Sequence, residues 1–381
     1  MPYVRNTPHW KPVLGLLNGG LDMAVNAFYG SDTAWHVEYE AAPSKILAHH
    51  WPDVPNHGDV TRIDWAAVEP IDILTGGFPC QDVSAAGRRA GLADGTRSGL
   101  WSYMAEAINQ LRPRLVVIEN VRGLLSAAAH RNMESDQNAL GDRHPGPVLR
   151  ALGAVLGDLA DLGYDAQWTT LAAADVGACH RRERVFVVAA PADADHAGPQ
   201  GPQPAQRHHL PSRSYRADVA LLPTPSVADG MGGHLTRSGD RNTELLLPGV
   251  ARAHARGELL PTPRATDGTK GGPNQRGSSG DLMLPSAVVQ WGNYGAAVQR
   301  SEKASGCVAP SPTELGSTGN PRLAASFSEW MMMLPAGWVT DPAIGLSRAD
   351  QLKAIGNGVC PPQAYRALEI LHHIAFLESA S

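Results

Sequence analysis

Ile71-Asp72-Ile73-Leu74-Thr75-Gly76-Gly77-Phe78-Pro79-Cys80 is the stretch that decides the fold of this chain. It begins with a short apolar run, which is typical of a buried strand, and the Gly and Pro residues that follow predict a loop. The same pattern occurs upstream, where Val13–Leu17 precedes Asn18-Gly19-Gly20, and downstream, where Leu115–Ile118 precedes Glu119-Asn120. Each of these strands is therefore expected to be followed by a loop at its carboxyl end.

Helices are predicted between these strands. Apolar residues recur at helical spacing from Leu21 to Phe28, and a second helix is predicted to run through Ile46 and Leu47. The remaining predicted elements are strands at Thr33–Val37, Trp168–Ala172 and Val185–Ala190 and helices at about Val148–Leu162 and Pro362–Leu377. Strands that alternate with helices predict an α/β fold with a doubly wound, mostly parallel, Rossmann-like sheet, which binds ligands at the carboxyl ends of its strands.

Composition and charge exclude several classes of protein. The 381 residues carry a net charge of -5, which argues against a generally basic nucleic-acid coat but allows a local basic cleft. The four Cys residues form no Cys-x-x-Cys pair, which argues against a disulfide framework or a zinc site, and no metal site is expected. Because neither a leader nor an apolar run of about 18 residues is found, we expect a cytoplasmic protein with no membrane association.

The composition changes after Ala190. Pro, Gly, Ser, His and Arg dominate as far as about residue 320, and Leu221-Leu222-Pro223-Thr224-Pro225 recurs as Leu259-Leu260-Pro261-Thr262-Pro263. We therefore predict a cofactor-binding and catalytic domain over residues 1–190 and a smaller domain of irregular β and loop character over 191–343. Residues 344–381 are predicted as a C-terminal helix that completes the first domain.

Three groups of residues carry candidate catalytic chemistry. Cys80 lies in a Gly/Pro turn just past a strand, where a nearby helix N-terminus would lower its pKa and make it a nucleophile, although a lone Cys is also commonly a buried structural residue. Glu119 follows a strand and could hydrogen-bond or protonate a ring nitrogen, or simply be solvated or cap a helix. Arg182 and Arg184 are expected on one side of a strand, where they suit phosphate or carbonyl contacts, or a solvated run of charge.

Weaker signals indicate a nucleoside site. Gly19 and Gly20 form a tight turn after the first strand, and Glu38 lies eighteen residues beyond Gly20. This spacing suits close backbone approach at the turn and a carboxylate on the ribose hydroxyls. Asp59 could accept a hydrogen bond from an adenine amino group or could equally cap a turn.

Taken together, these motifs resemble those of the DNA (cytosine-5-)-methyltransferases, and they occur in the order typical of that family. Gly77-Phe78-Pro79-Cys80-Gln81 resembles the nucleophile loop, and Glu119-Asn120-Val121 the Glu-Asn-Val motif. Three more matches are His180-Arg181-Arg182-Glu183-Arg184, with His for Gln in a Gln-x-Arg-x-Arg motif, Arg322-Leu323 with Glu329-Trp330-Met331-Met332, and the closing Gly356-Asn357-Gly358-Val359. One departure is the first turn, where Gly15 and Leu17 stand in place of the usual Phe and Gly; this predicts a rebuilt turn or weaker cofactor binding.

The resemblance implies an enzyme that flips a cytosine out of double-stranded DNA and methylates it at C5. Cys80 would attack C6, Glu119 would bind N3, Arg184 would hold O2, and Arg182 would support the loop, with S-adenosyl-L-methionine as the methyl donor. The positions that match the family's cofactor site are Gly19, Gly20, Glu38, Tyr39, Asp59, Phe78, Pro79, Leu100 and Asn357.

The resemblance also makes 191–343 a target-recognition domain. The candidates for reading base edges in the major groove are Arg237, Arg241, Arg264, Lys270, Asn274, Gln275 and Arg276. A cognate restriction endonuclease is a partner that the resemblance allows, and we expect a monomer in a prokaryotic or phage-infected cell.

Three alternatives remain open. The first is methylation of RNA on the same fold, although the long section from 191 to about 320 favours duplex DNA. The second is a catalytically weak DNA-binding relative, because of the altered first turn. The third is a nicotinamide-dependent dehydrogenase, which leaves Cys80, Glu119 and Arg184 without a joint use.

Overall fold

The computed structural model describes most of the first half of the chain and most of the last quarter. The described residues are 12–13, 19–78, 100–126, 128–129, 149–192, 222, 224–226, 235–236, 246–248, 250–251, 295–316, 319 and 321–378.

The strands and helices alternate along the first half of the chain. The strands are β1 (Pro12–Val13), β2 (Ile73–Gly77), β3 (Leu115–Val121), β4 (Ala128–Ala129), β5 (Leu149–Arg150), β6 (Tyr164–Ala172), β7 (Glu183–Pro191), β8 (Thr313–Leu315) and β9 (Pro321–Leu323). The helices are α1 (Gly20–Tyr29), α2 (Ala41–His50), α3 (Leu100–Leu111), α4 (Ala151–Asp161), α5 (Gly295–Ser305), α6 (Ala325–Met331), α7 (Arg348–Asn357) and α8 (Pro361–His373). No helix in the described part of the chain is both long and apolar enough to cross a bilayer.

The chain divides into two compact units. The first comprises Met1–Leu171, Glu183–Arg207 and Ala364–Ser381, and the second comprises Ala172–Arg182 and His208–Gln363. This division differs from the predicted boundaries, because residues 172–182 and 344–363 are assigned to the second unit and residues 191–207 to the first. Within that unit, the backbone carbonyl of Arg182 accepts a hydrogen bond of 2.7 Å from Nε2 of Gln363, which ties these two segments to each other.

A five-stranded sheet forms the centre of the first unit, with the strand order β1-β2-β3-β7-β6. β1 pairs with β2 and β2 with β3 in parallel, whereas β3 and β7 are antiparallel. The sheet is therefore mixed, which corrects the prediction of a mostly parallel sheet. The physical reason lies in the link between the neighbouring strands β6 and β7, residues 173–182, which contains only a 3-10 helix. A parallel crossover needs about a dozen or more residues and usually an α-helix, so this link is too short to let β7 run parallel to β6.

The hydrophobic core of the first unit surrounds β2 and β3. All five residues of β2 and the first six of β3 are buried, as expected for apolar strands covered on both faces. α3 adds Trp101, Met104 and Ile108, which recur at helical spacing and pack into the same cluster. Each such side chain contributes about 1.5–3 kcal/mol on burial, so the strands that lead to the candidate site are rigidly held.

The second unit has a core of its own, to which α6 contributes Phe327, Trp330 and Met331. The rings of Phe327 and Trp330 stack with centroids 5.7 Å apart. Met331 and Met332 are fully buried.

Two predicted elements differ from the structure. The strand at Thr33–Val37 is only an isolated bridge, in which His36 pairs with Asn56. The pairing does not extend to Glu38, because the backbone N–H and carbonyl of Glu38 are bonded to the Asn56 side chain. The Asn56 amide accepts a hydrogen bond from this N–H and donates one to this carbonyl. The single helix predicted over 344–381 is in fact α7 and α8, interrupted at Gly358 and restarted at Pro361, where proline suits the first turn of a helix.

Candidate active site

Glu119 lies inside β3. The strand predicted over Leu115–Ile118 continues to Val121, because Glu119 stays in register with Phe186 of β7 and with Gly77 of β2. Glu119 is 5% exposed, so its carboxylate is almost completely withdrawn from water. A buried carboxylate requires hydrogen bonds or a counter-charge.

Arg184 supplies that counter-charge. It is the second residue of β7, and its Nε lies 2.8 Å from Oε1 of Glu119. The two side chains are 14% and 7% exposed. At this short distance the bond is charge-assisted, and it fixes the direction in which the carboxylate presents its second oxygen. The structure therefore brings together two of the four predicted catalytic residues.

Asn120 ties the end of β3 to the segment that precedes the predicted nucleophile. Its Nδ2 donates a hydrogen bond of 2.8 Å to the backbone carbonyl of Phe78, and Asn120 is itself buried. In sequence, Cys80 follows Phe78 by two residues. Pro79 and Cys80 lie outside the described residues, as do Gly15 and Leu17 of the first turn.

Phe78 belongs to the core. It is 5% exposed, and its ring centroid lies 5.1 Å from that of Trp101. Leu100, the first residue of α3, is partly buried against the same cluster. The described contacts of these two side chains are with the protein interior, and their roles toward a cofactor stay predictions.

Arg182 does not share a strand face with Arg184, which corrects the prediction. It precedes the first residue of β7, belongs to the second unit, and has a φ of 32°, so the alternation of a strand does not apply to it. Its buried guanidinium donates to the backbone carbonyls of Gly356, at 3.1 Å, and of Gly358. These hydrogen bonds of Arg182 hold the backbone on both sides of Asn357, which is an exposed residue at the end of α7.

The first turn has the geometry expected of a glycine pair. Gly19 is the N-cap of α1 with a φ of 81°, in the left-handed region that favours glycine. Gly20 begins the helix, and both residues are buried. A Cβ at position 19 would be strained in this conformation, which explains why Gly is needed there.

Glu38 and Tyr39 lie between the bridge at His36 and the start of α2. Glu38 is buried, and its Oε1 accepts a hydrogen bond of 2.7 Å from the backbone N–H of Glu40. Tyr39 is 77% exposed. A fixed carboxylate beside an exposed aromatic ring suits the ribose and the base of a nucleoside, so these residues fit the predicted cofactor.

Asp59 caps a turn, one of the two roles that the sequence left open. Its Oδ1 accepts from both the backbone N–H and the hydroxyl of Thr61, at 3.0 and 2.8 Å, at the start of a 3-10 helix. These hydrogen bonds hold the pKa of Asp59 below its usual value. A contact of its carboxylate with an adenine amino group stays a prediction.

Asn56 is a site residue that the sequence analysis missed. Its Oδ1 accepts from the backbone N–H of Glu38 at 2.9 Å and from that of Gly58 at 3.1 Å, while its Nδ2 donates to the Glu38 carbonyl. One amide therefore holds the segment of Glu38 beside the segment of Asp59. Only its place in a polar turn before a glycine could have indicated it, since the two bonds to Glu38 join residues 18 positions apart in sequence.

The fold and the site define the class of protein. The crystal structure of the S. pombe Dnmt2 methyltransferase matches with a TM-score of 0.51 at 13% identity, over 95% of this chain and 99% of that one. The central sheet and helices thus have a methyltransferase fold.

Sequence comparison gives the family. The model for C-5 cytosine-specific DNA methylase matches residues 17–242, more than half of the chain. The chain belongs to the C-5 cytosine-specific DNA methylase family.

Two curated relatives share part of the chain. The type II methyltransferase M.NgoBV of Neisseria gonorrhoeae is 33% identical over 150 residues, which is 39% of this chain and 32% of that protein. A protein of Escherichia phage P1 named DNA N-6-adenine-methyltransferase is 38% identical over 128 residues, 30% of this chain and 17% of that protein. The matches therefore cover a third or less of these relatives.

Proposed function

We propose that this chain methylates C5 of cytosine in double-stranded DNA, with S-adenosyl-L-methionine as the donor. The observation that carries the proposal is the buried pair of Glu119 and Arg184, next to the bond that anchors Phe78 to Asn120. This bond sets where the segment leading to Cys80 leaves the sheet. A nucleophile and a fixed carboxylate at one place are what the attack on a cytosine ring requires.

Each catalytic residue has a defined task in this proposal. The Cys80 thiolate forms a bond to C6, which makes C5 electron-rich, and Glu119 in its protonated form donates its proton to N3 as negative charge develops on the ring; the proton returns to Glu119 when the ring is restored. S-adenosyl-L-methionine supplies the methyl group when it is bound. Loss of the C5 proton and cleavage of the bond between sulfur and C6 then restore the thiolate and the aromatic ring.

Arg184 has two proposed roles, one toward Glu119 and one toward the target cytosine. Its Nε holds Glu119 in place and its Nη1 donates a hydrogen bond of 3.0 Å to the backbone carbonyl of Glu183, so Nη2 is the group proposed to donate to the cytosine O2. Because the target atoms are stacked inside duplex DNA, the cytosine must be flipped out to reach this pair.

The cofactor is proposed to lie against the residues of the first unit that fit a nucleoside. Glu38 would bind the ribose, Tyr39 would pack on adenine, and Gly19 and Gly20 would allow close approach of the backbone. Asn357 belongs to the second unit, and its role toward the cofactor stays a prediction from the resemblance; Arg182 of the same unit holds the glycines on either side of it.

The recognition of a specific DNA sequence is proposed to come from residues 191–343. The candidate base-reading residues, from Arg237 to Arg276, all lie outside the described residues. A cognate restriction endonuclease is proposed as a partner because M.NgoBV is named a type II methyltransferase.

The proposal is tested by bisulfite sequencing of DNA from cells that express the chain. We expect protected cytosines within one short sequence, and none with Cys80→Ser, which should still bind DNA. Cys307→Ser is the matched control, because Cys307 is an exposed free thiol of the second unit, and this variant should keep full activity.

Mass spectrometry of the nucleosides separates the alternatives. The proposal expects 5-methylcytosine in DNA. N6-methyladenine as the sole product, 5-methylcytosine confined to RNA, or full activity of Cys80→Ser would refute it.

A further inference from the structure

Three polar side chains come together in the interior of the first unit. Asp22, the third residue of α1, is 2% exposed, Thr75 of β2 is fully buried, and His36 is 1% exposed. The Thr75 hydroxyl donates a hydrogen bond of 2.7 Å to Oδ1 of Asp22. Asp22 and His36 also interact electrostatically. None of the three has a task in the proposed chemistry.

Burial of this group is costly. Burial raises the pKa of Asp22, although His36 and the Thr75 hydroxyl oppose the change. Burial likewise lowers the pKa of His36, against the attraction of Asp22. Neither ring nitrogen of His36 has a hydrogen-bond partner in the described part of the chain. An apolar trio would fold more easily, so this group indicates a role other than stability.

The position of the group indicates that role. Asp22 lies two residues after Gly20 of the first turn, and Thr75 lies three residues before Phe78 on the strand that leads toward Cys80. His36 lies two residues before Glu38, and Asn56 contacts both residues, pairing with His36 in the bridge and hydrogen-bonding the Glu38 backbone. The hydrogen bond between Thr75 and Asp22 therefore joins the segment of the glycine turn to the strand before the nucleophile, and the electrostatic attraction between Asp22 and His36 adds the segment of Glu38.

We propose that Asp22 is a positioning residue for the methyl donor, which through Thr75 and His36 fixes the glycine turn and Glu38 relative to the strand before the nucleophile. This inference rests on the proposed function for the identity of the donor. Asp22 and Thr75 act as one unit, so removal of either is expected to lose the same interaction.

The experiment measures S-adenosyl-L-methionine affinity by calorimetry and follows methyl transfer separately. Thr75→Val removes the hydroxyl with little change of shape, and it should weaken cofactor binding about tenfold, as expected for loss of a hydrogen bond to a buried acid. Asp22→Asn should weaken cofactor binding by a similar factor. The double variant, with both substitutions, should bind the cofactor no more weakly than whichever single variant binds it more weakly. Thr75→Ser keeps a hydroxyl and should restore affinity to within about twofold, which is well below the tenfold effect.

Thr33→Val is the matched control. The Thr33 hydroxyl accepts a hydrogen bond of 3.0 Å from Nδ2 of Asn26, near the other end of α1. Its loss should lower the melting temperature to a similar extent as Thr75→Val and leave cofactor affinity unchanged. A merely structural role for Thr75 predicts equal affinities in the two variants.

The outcomes separate this inference from the proposed function. Unchanged affinity in folded Thr75→Val and Asp22→Asn, an equal loss in Thr33→Val, or additive losses in the double variant would overturn the positioning role. Cofactor binding with the expected losses, but without cytosine methylation, overturns the proposed function alone. A folded chain that binds no S-adenosyl-L-methionine overturns both.

Discussion

The ion pair of Glu119 and Arg184 makes a quantitative prediction for the variant Arg184→Met. The substitution keeps an apolar side chain in β7 but leaves the Glu119 carboxylate, 7% exposed, without the cation that lies 2.8 Å away. Breaking a buried pair by removal of one partner costs about 3–5 kcal/mol, and the partial exposure of Arg184 places the expected loss near the lower bound.

A neighbouring ion pair, between the residue that follows β3 and the first residue of β7, provides the control. Nη1 of Arg122 lies 3.0 Å from Oε2 of Glu183, but these side chains are 66% and 28% exposed. Arg122→Met breaks a pair of the same chemistry and should cost about 0–1 kcal/mol, because water and salt screen exposed charges. The two variants therefore compare an exposed pair with a buried one.

Urea unfolding at neutral pH measures both losses, and a double-mutant cycle isolates the pair. Glu119→Gln leaves the Arg184 guanidinium without its carboxylate, whereas Glu119→Gln with Arg184→Met removes both charges of the pair. The double variant should therefore be more stable than the sum of the single losses predicts, by about 2 kcal/mol. Losses that add to within about 0.5 kcal/mol, or equal losses in Arg184→Met and Arg122→Met, would show that the pair does not hold the site together.

Three further predictions concern other parts of the chain. The buried Glu329 carboxylate accepts hydrogen bonds from three backbone N–H groups and one hydroxyl of residues 337–340; Glu329→Gln turns a donor toward these groups and should cost about 3 kcal/mol of unfolding free energy in urea. Gly177 has a φ of 98°, and a Cβ there would lie 2.5 Å from Cβ of Ala304, so Gly177→Ala should lower the melting temperature, and an unchanged value would contradict the packing. Burial lowers the pKa of His372 from 6.5 to about 4, so its contribution to stability is present above pH 6.5 and lost as the pH falls toward 4; His372→Phe should flatten the measured stability over this range.

Much of the fold follows from local pattern. The apolar runs at Ile71–Thr75, Leu115–Ile118 and Val185–Ala190 predict β2, β3 and β7, because a strand buried on both faces needs continuous hydrophobicity. The direction of β7 does not follow from such runs. It depends on the connection to its neighbour, and neither periodicity nor composition reports which edge of a sheet a strand joins.

The sequence predicted which residues belong to the candidate site, but not which of them contact each other. Glu119 and Arg184 were each recognised from their motifs, but the bond between them depends on the register of β3 against β7. Asn56 and Asp22 carry no motif at all. They act through hydrogen bonds to residues 18 and 53 positions away in sequence, and such distant partners are set only when the chain has folded.

Arg182 and Arg184 show where the alternation of side chains along a strand no longer predicts which way a residue faces. Alternation holds only while the backbone is extended, and Arg182, with its φ of 32°, lies just before β7 begins. A non-glycine residue keeps this conformation only when its surroundings enforce it, and here the Arg182 guanidinium is held by the carbonyls of Gly356 and Gly358. The unusual backbone conformation at Arg182 thus directs its side chain to the closing glycines, whereas Arg184, two residues later and in the strand, pairs with Glu119; two arginines of one motif therefore have different partners.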